Sequence, residues 1–316
     1  MTRMFLGVDG GQSSTTALTG DETGRVLGFG RGGPCNHVQA SEGRAKFLSA
    51  IGGCIRQALD QAGRERPDFE AACLGFSGGP ADKEAPVREL LTARTLLVTD
   101  DALVGLVGAC GGEPGVVTIA GTGSISYGRN GDGRTARAGG WGYIFGDEGG
   151  AFDIVRQGLQ AALRFEEGWG PETTLRSTLL EAVGARSSNE LMHRFYTEDW
   201  PRSRVATLSK LVDRAASEGD PCACQIMDAS AQQLAAIAGA VRSQLFRPGE
   251  PARVSYIGGV FRSERLLGLF RNLVEKADAG NRVGPPEFGP AAGALLEAYR
   301  IAGLRPRLNN LPEFEK

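Results

Sequence analysis

The sequence predicts an α/β protein with two lobes. Short apolar runs typical of strands alternate with stretches of helical periodicity, and this alternation is characteristic of α/β architecture. A strand, a glycine-rich turn and a second strand occur near the N-terminus and again near Gly115, a weak internal repeat of about 110 residues. A chain of 316 residues is also long enough for two compact units.

In the first half, Met4–Asp9 (MFLGVD) is predicted to be a buried strand. Ser14–Gly20 and Arg25–Gly30 continue it as an antiparallel meander, joined by the turn DETG. Ser41–Ala62 has helical spacing, with Ser41 as its N-cap. The remaining predicted elements of this half are strands at Ala71–Phe76 and Thr95–Thr99, a helix at Asp82–Thr92 and a helix that begins at Asp100 or Asp101.

The second half repeats the pattern and then becomes helical. Its predicted strands are Gly115–Ala120, Ser124–Arg129, Arg134–Ala138 and, late in the chain, Arg253–Ile257. Residues 147–246 are predicted to be mainly helical, and two further helices are predicted at Ser263–Ala277 and Pro290–Ile301. The glycine-rich segment Gly111–Gly115 (GGEPG) is predicted to be a short hinge. We therefore expect domains at residues 1–113 and 114–290, with a C-terminal helix and tail at 291–316.

Charge and composition restrict the function classes. The 35 Lys and Arg residues nearly balance the 37 Asp and Glu residues, which leaves a net charge of -2. This balance predicts no nucleic-acid or anionic-membrane partner, so a partner must be recognised by a specific site. The sequence shows neither an apolar run of 18 residues nor a signal-peptide pattern, which predicts a soluble, cytoplasmic protein.

The six cysteines are predicted to be reduced thiols. They lie at positions 35, 54, 73, 110, 222 and 224. Cys222 and Cys224 form a CxC motif that would supply half of a metal site, but no second cluster of Cys or His completes it.

The segment from Asp9 to Thr15 (DGGQSST) combines an acid, two glycines and hydroxyl residues at the end of a strand. Glycines such as Gly10 and Gly11 let backbone N–H groups approach a phosphate, and the hydroxyls, Ser13 and Thr15 among them, add donors. Asp9 suits Mg²⁺ held through water. The alternative is a plain hairpin turn, and the pattern matches neither a Walker A loop nor GxGxxG.

Two more glycine-rich turns follow strands. Ala120–Ser124 (AGTGS) has the same chemistry as the first loop at the equivalent point of the second half. Two such glycine- and hydroxyl-rich hairpins favour phosphate binding over a purely structural turn more strongly than one hairpin does. Gly258-Gly259-Val260-Phe261 follows the late strand and would place backbone against a flat adenine ring, although a simple strand-to-helix turn is an equal alternative.

The segment Thr99-Asp100-Asp101-Ala102 places two carboxylates at the end of a predicted strand. Ligands of α/β proteins bind at this edge of the sheet, and an Asp there can act as a general base toward a hydroxyl. Asp is also a preferred helix N-cap. The two roles can be divided between the two residues.

A sugar site is suggested by Gly139–Gly142 (GGWG) and Gly146–Gly150 (GDEGG). The indole of Trp141 can stack on a sugar ring while Asp147 accepts hydroxyl hydrogens. The alternatives are a core Trp and an Asp147 that caps a helix starting near Glu148. Asn36-His37 is a further polar pair suited to hydroxyls, or else part of an exposed loop.

The sequence resembles the sugar kinase/Hsp70/actin superfamily, and within it the N-acetylglucosamine kinase and BadF/BcrA-type ATPase family. The resemblance rests on motifs that occur in this order: DGGQSST, TDDA, AGTGSI, GGWG with GDEG, and GGVF. The resemblance extends from about Phe5 to Ala298. It implies two ribonuclease-H-like (actin-like ATPase) lobes with a nucleotide cleft between them. It also implies that the C-terminal helix packs back on the first lobe.

The resemblance implies a role for each matching residue. The first phosphate loop is matched by Asp9, Gly10, Gly11 and Ser13, and the second by Gly121, Thr122 and Gly123. The adenosine loop is matched by Gly258 and Gly259, and the catalytic base by Asp101. The sugar contacts are matched by Asn36, His37, Ser124, Trp141, Gly142 and Asp147. The sequence departs from the family pattern at Gln12, where a third Gly is common, and at Ser13, where Thr is commoner.

The implied activity is ATP- and Mg²⁺-dependent phosphorylation of an amino sugar, with N-acetylglucosamine at O6 as the first expectation. Glucosamine and N-acetylmuramic acid are alternative substrates, and a homodimer is a further expectation. A second class, the activator ATPases of CoA-linked dehydratases or reductases, is disfavoured because no Cys occurs between Gly111 and Pro221. A third, a sugar-responsive regulator, is disfavoured because the first strand starts at Met4 and leaves no room for a DNA-binding domain.

Overall fold

The structure is a computed structural model, and it describes residues 3–11, 14–35, 43–197 and 199–316. The first half of the chain forms a five-stranded mixed sheet. Its strands are β1 (Met4–Gly10), β2 (Thr15–Asp21), β3 (Val26–Gly32), β4 (Asp68–Phe76) and β5 (Thr92–Asp100). They lie in the order β3-β2-β1-β4-β5, with an antiparallel meander β1-β2-β3 and parallel β1, β4 and β5. The apolar run of β1 is fully buried, as its sequence predicts.

The first half of the chain supplies three helices within the described residues: α1 (Gly43–Gln61), α2 (Glu84–Leu90) and α3 (Asp101–Ala109). Helix α1 packs on β2 and β3, and its periodic residues Phe47, Ile51 and Ile55 are buried, which confirms the helical spacing seen in the sequence. Its predicted N-cap, Ser41, lies outside the described residues. Helix α2 is shorter than predicted because Thr92 already belongs to β5.

The second sheet repeats the first. Its strands are β6 (Gly115–Ala120), β7 (Ser124–Arg129), β8 (Thr135–Gly139), β9 (Ala252–Ile257) and β10 (Asn281–Gly284). The order β10-β9-β6-β7-β8 has the same chain-order pattern as the first sheet, so the predicted internal repeat is confirmed at the level of topology. Strand β10 (NRVG) has only four residues and no apolar run, and it escaped the sequence analysis.

The long helical region consists of six helices within the described residues: α4 (Ala151–Glu166), α5 (Leu175–Val183), α6 (Ser188–Phe195), α7 (Arg202–Ala206), α8 (Ser209–Ser217) and α9 (Pro221–Leu245). Asp220 caps α9 by accepting the N–H of Ala223 at 2.9 Å. Helix α10 (Glu264–Ala277) packs beside α9. The apolar faces of these helices form one large core with Val116, Ala120 and Val254 of the sheet.

The last helix, α11 (Pro290–Ile301), packs on β1 and α3. The contact is close, because a Cβ at Gly7 would lie 2.2 Å from the backbone nitrogen of Leu295. The chain accordingly divides into two compact units, Met1–Gly115 with Pro285–Lys316, and Val116–Gly284. Within the described ranges, no helix combines the length and apolar character needed to span a membrane.

The C-terminal tail is held on the first unit. The backbone N–H of Val26 donates to the carbonyl of Asn309 at 3.0 Å. The ring of Phe314 packs edge-on against Phe29, 5.4 Å away. The tail ends with the buried Glu315, whose carboxylate accepts the N–H of Ala292 at the start of α11 at 2.8 Å.

Candidate active site

The first predicted phosphate loop lies at the tip of the β1–β2 hairpin. The N–H of Gly11 donates to the carbonyl of Ser14 at 2.9 Å and closes the turn. A Cβ at Gly10 would lie 2.5 Å from the ring of Phe76, so only glycine fits there. Thr15 is fully buried, and its hydroxyl donates to the carbonyl of Gly33 at 2.8 Å, which commits this side chain to the hairpin. Ser13 lies outside the described residues.

Asp9, at the end of β1, has an environment that disfavours its negative charge. Its pKa is raised to about 7, first by burial and then by the nearby carboxylates of Asp101 and Glu315. A hard cation beside it would offset these effects, and a carboxylate oxygen is a ligand that Mg²⁺ accepts. Among the described residues no group of three metal-ligating side chains occurs. A single carboxylate in this environment is compatible with an Mg²⁺ ion that keeps most of its water, which is the role predicted for Asp9 from the sequence.

The two carboxylates of TDDA have different roles in the fold. Asp100 caps α3, since its Oδ1 accepts the N–H of Leu103 at 2.7 Å. Asp101 is the first residue of the helix and is partly exposed. Its Oδ2 accepts a hydrogen bond from the hydroxyl of Ser77 at 2.5 Å. Because Asp100 supplies the cap, the carboxylate of Asp101 is left for other chemistry.

Ser77 was missed by the sequence analysis. It follows β4 directly, and its N–H donates to the carbonyl of Gly10 at 3.1 Å. Ser77 therefore connects the first loop to Asp101. The available signal was its position, a hydroxyl residue at the carboxyl end of a parallel strand, where ligands of α/β folds bind.

In the second unit, the predicted phosphate loop and adenosine loop pack together. Gly258 has φ +115°, and a Cβ there would lie 2.2 Å from the carbonyl oxygen of Ala120. In contrast, a Cβ at Gly121 or Gly259 would meet no described atom within 4 Å. The backbone of both loops is thus uncovered on one side, which fits close approach by phosphates and a flat base.

Backbone hydrogen bonds also fix the second predicted phosphate loop. The N–H of Gly121 donates to the carbonyl of Gly123 at 3.0 Å. The first N–H groups of α4, from Ala151 and Phe152, donate to the carbonyls of Gly121 and Thr122 at 2.9 and 3.1 Å. The loop is therefore fixed by the helix that follows it.

The predicted sugar loop exposes its tryptophan. Trp141 is 66% exposed, which excludes the core interpretation, and the guanidinium of Arg137 lies 4.6 Å from its ring centroid. Gly142 has φ +80° and turns the chain, with its carbonyl accepting the N–H of Gly146 at 2.8 Å. The hydroxyl of Ser124 donates to the carbonyl of Glu148 at 2.6 Å. Asn36 and His37, the other predicted sugar contacts, lie outside the described residues.

Asp147 lies at a strained and buried position. Its φ is +64°, a left-handed value that non-glycine residues rarely adopt outside constrained sites. Its carboxylate packs on Gly123, where a Cβ would lie 2.2 Å from Oδ2. The helix-cap interpretation of Asp147 is wrong, because α4 begins at Ala151 with Gly150 as its N-cap.

Asp147 forms an ion pair with Arg202, the first residue of α7. No motif in the sequence indicates this partner, which lies 55 residues away in the chain.

The CxC motif does not bring its thiols to a common point. The thiol of Cys222 faces the carbonyl of Glu172 at 3.9 Å, and that of Cys224 faces the carbonyl of Ala216 at 3.3 Å.

Comparison with known proteins identifies the family. The profile of the BadF/BadG/BcrA/BcrD ATPase family matches residues 6–298. The chain belongs to this family.

Two curated relatives are similar over most of their length. The chain is 30% identical over 270 residues to the N-acetylmuramic acid/N-acetylglucosamine kinase of Clostridium acetobutylicum. The aligned region covers 84% of this chain and 88% of that protein. It is 30% identical over 314 residues to the N-acetyl-D-glucosamine kinase of Dictyostelium discoideum, with coverage of 92% and 98%.

Among solved structures, a protein assigned as an N-acetylglucosamine kinase from Chromobacterium violaceum matches with a TM-score of 0.74 and 27% identity, over 93% of this chain and 98% of that one. A ROK family glucokinase from Streptomyces griseus shares the fold, with a TM-score of 0.56 and 19% identity, over 93% and 98% of the two chains. The predicted fold class, α/β with two lobes of the actin-like ATPase type, is confirmed.

Proposed function

We propose that this member of the BadF/BadG/BcrA/BcrD family transfers the γ-phosphoryl group of ATP to O6 of N-acetylglucosamine, which yields the sugar 6-phosphate and ADP. At the coarser level it is an ATP-dependent amino-sugar kinase, the class named for its full-length relatives. Glucosamine and N-acetylmuramic acid are the alternative acceptors. The proposal includes a cytoplasmic location and leaves a homodimer as an expectation from the sequence.

The observation that carries the proposal is the division of roles between Asp100 and Asp101. Asp100 caps α3, so Asp101 can accept the proton of the sugar hydroxyl. The O6–P bond forms as the bond between Pγ and its bridging oxygen breaks, the O6 proton passes to Asp101, and ADP leaves. The hydroxyl of Ser77 donates a hydrogen bond to Oδ2 of Asp101, so we propose that the other carboxylate oxygen, Oδ1, accepts the proton of the sugar hydroxyl. A positioned general base typically contributes about 10²- to 10⁴-fold to the rate.

The residues of the nucleotide site come from the glycine-rich loops. In the first unit, we propose that Gly10, Gly11 and, from the sequence, Ser13 supply backbone N–H and hydroxyl donors for phosphate. In the second unit, we propose the same role for Gly121, Thr122 and Gly123, and a contact with adenosine for Gly258 and Gly259. ATP would supply the phosphoryl group, and Asp9 would anchor an Mg²⁺ ion that would neutralise charge on the phosphates. The raised pKa of Asp9, caused first by burial and then by Asp101, supports a cation at this position.

The residues of the sugar site come from the loop before α4. Trp141 offers an exposed ring for stacking. Asp147 is buried and paired with Arg202, and we propose that its carboxylate also accepts sugar hydroxyl hydrogens. Gly142 and Ser124 complete this part of the proposed site, and Asn36 and His37 remain contacts inferred from the sequence. A carboxylate that accepts hydroxyl hydrogens forms charge-assisted bonds, which are about twice as strong as neutral ones.

The decisive experiment is a coupled ADP-release assay with N-acetylglucosamine, glucosamine, N-acetylmuramic acid and glucose as acceptors. We expect N-acetylglucosamine to have the highest kcat/KM. The matched control is 6-deoxy-N-acetylglucosamine, which lacks only O6 and should release no ADP above the sugar-free rate. Equal ADP release with the 6-deoxy sugar would contradict transfer to O6. An ADP-release rate that stays at the sugar-free level with every sugar would contradict the proposed kinase activity.

A further inference from the structure

The carboxylate of Asp147 is held in place by two neighbours. The side chain is buried, and the backbone adopts a left-handed φ of +64°. Gly123 of the second predicted phosphate loop lies against the carboxylate, since a Cβ there would be 2.2 Å from Oδ2. The guanidinium of Arg202 donates a hydrogen bond to the same oxygen. A buried charge on a strained backbone persists only where its surroundings fix it, so these contacts decide how the carboxylate is oriented.

The two carboxylate oxygens of Asp147 are used differently. Oδ2 accepts an N–H group of Arg202. Oδ1 accepts no hydrogen bond from the part of the chain that the structure describes. An ionised carboxylate can accept hydrogen bonds at both oxygens. Oδ1 is therefore the oxygen left for a hydroxyl group of a ligand.

Arg202 is itself held by two aromatic rings. Its guanidinium lies 5.0 Å from the ring centroid of Tyr143 and 5.6 Å from that of Phe152. The two rings pack edge to face, with their centroids 5.4 Å apart. Tyr143 belongs to the predicted sugar loop, and Phe152 belongs to α4. Arg202 thus connects the loop that carries Asp147 to the helix that follows it.

The contacts of Arg202 are not those that stability alone would favour. Its Nε–H is buried and has no acceptor among the described residues, which costs stability. The side chain also lines a pocket of about 460 Å³ with apolar neighbours such as Leu159 and Val205. Apolar side chains can often replace a buried ion pair without loss of stability. What an apolar residue could not supply at this position is the hydrogen bond to Asp147.

We propose that Arg202 is a positioning residue of the sugar site, which holds Oδ2 of Asp147 so that Oδ1 accepts a hydroxyl group of the sugar. The inference rests on the proposed function, in which Asp147 binds the sugar. Arg202 acts through Asp147 and has no part in the proton transfer to Asp101. Its loss therefore weakens sugar binding and leaves the chemical step in place.

The test is steady-state kinetics of Arg202→Met with N-acetylglucosamine as the varied substrate. We expect the KM for the sugar to rise about 10-fold, while kcat changes by less than about 3-fold and the KM for ATP stays the same. Arg202→Lys keeps a charged donor and should recover part of the affinity. The matched control is Arg204→Met, which should leave the sugar KM unchanged. Arg204 lies on the same helix, stacks on Trp200 at 4.1 Å and donates to the carbonyl of Asp199.

A double-mutant cycle with Asp147→Asn separates positioning from a purely structural role. Asp147→Asn alone should raise the sugar KM, and Arg202→Met added to it should raise the KM little further, because the two residues act as one unit. Melting curves report the stability of each variant, and Arg202→Gln carries the same test where Arg202→Met does not fold.

An unchanged sugar KM in the Arg202 variants, or effects of the two substitutions that add fully, would overturn the inference. A raised KM in Asp147→Asn beside a normal KM in Arg202→Met would reject the positioning role and leave the proposed function intact. Turnover of no amino sugar by the wild-type enzyme would reject both.

Discussion

The hydroxyl of Ser77 donates a 2.5 Å hydrogen bond to Oδ2 of Asp101. Ser77 follows β4 and Asp101 begins α3, so the bond joins the carboxyl end of one strand to the helix after the next strand. The N–H of Ser77 also reaches the carbonyl of Gly10. One residue thus positions the proposed base relative to the proposed phosphate loop, and this arrangement leads to the first two predictions.

Replacing Asp101 by Asn should lower kcat by about 10²- to 10⁴-fold, because the amide cannot accept the hydroxyl proton. ATP affinity should be largely unchanged. The matched variant Asp100→Asn should cost much less, since Asn is also a good N-cap and this carboxylate bonds to Leu103. Steady-state kinetics of both variants make the comparison. A loss of kcat confined to Asp100→Asn would show that the assignment of the base is one residue out of register.

Replacing Ser77 by Ala should lower kcat by about 10-fold, because the Asp101 carboxylate loses the hydrogen bond that orients it. The KM for the sugar should change little, since Ser77 acts through the base. Ser77→Thr keeps the hydroxyl and should recover most of the rate. An unchanged kcat in Ser77→Ala would remove the positioning role.

Replacing Asp147 by Ala should reduce kcat/KM for the sugar by about 10- to 100-fold, because charge-assisted bonds to hydroxyls are lost. ATP affinity measured without sugar should barely change. A melting curve recorded beside the kinetics separates binding from stability, since the variant also leaves Arg202 without its partner. A destabilised variant with normal sugar kinetics would show that Asp147 is structural only.

The tail residue Glu315 should make stability depend on pH. Burial raises the pKa of Glu315 from 4.5 to about 7. The N–H groups of Ala292 and Ala291 and the charge of Arg31 oppose this increase. The acid that faces Glu315 is Asp9 on β1. The folded state therefore binds this proton more tightly than the unfolded state. The resulting stability is present below about pH 4.5 and is lost as the pH rises through about 7.

Glu315→Gln should accordingly be more stable than the wild type at pH 8, by up to about 3 kcal/mol, and gain little at pH 5. Urea unfolding at the two pH values measures the difference. The control is Glu313→Gln, which changes an exposed acid on the same tail. A gain that is equal at both pH values would show that the charge of Glu315 carries no cost.

Protein purified without oxygen should contain no stoichiometric iron or sulfide. The cysteines are dispersed, and the thiols of Cys222 and Cys224 face different backbone carbonyls. An iron–sulfur cluster needs several thiolates at one point. Iron and sulfide analysis, with the absorption spectrum, tests this expectation. A brown protein with labile iron would favour the activator class of ATPase instead.

Much of the architecture was accessible from local sequence signals. The alternation of apolar runs and glycine turns predicted β1 to β3 and β6 to β8, because burial and turn chemistry act over a few neighbouring residues. The pair Asp100-Asp101 was assigned two roles, and the structure gives the cap to Asp100. The division of the described part of residues 147–246 into six helices was not predicted, since tertiary packing decides where helices end.

Short sequence segments specify the two strand–turn–strand repeats and the glycine loops, since each depends on periodicity or turn geometry over a few residues. Long-range packing of the chain is what brings distant side chains into contact. It brought Ser77 to Asp101, Arg202 to Asp147, and Glu315 to the start of α11. These pairs arise from chain packing across many residues, and no local pattern of residues specifies them.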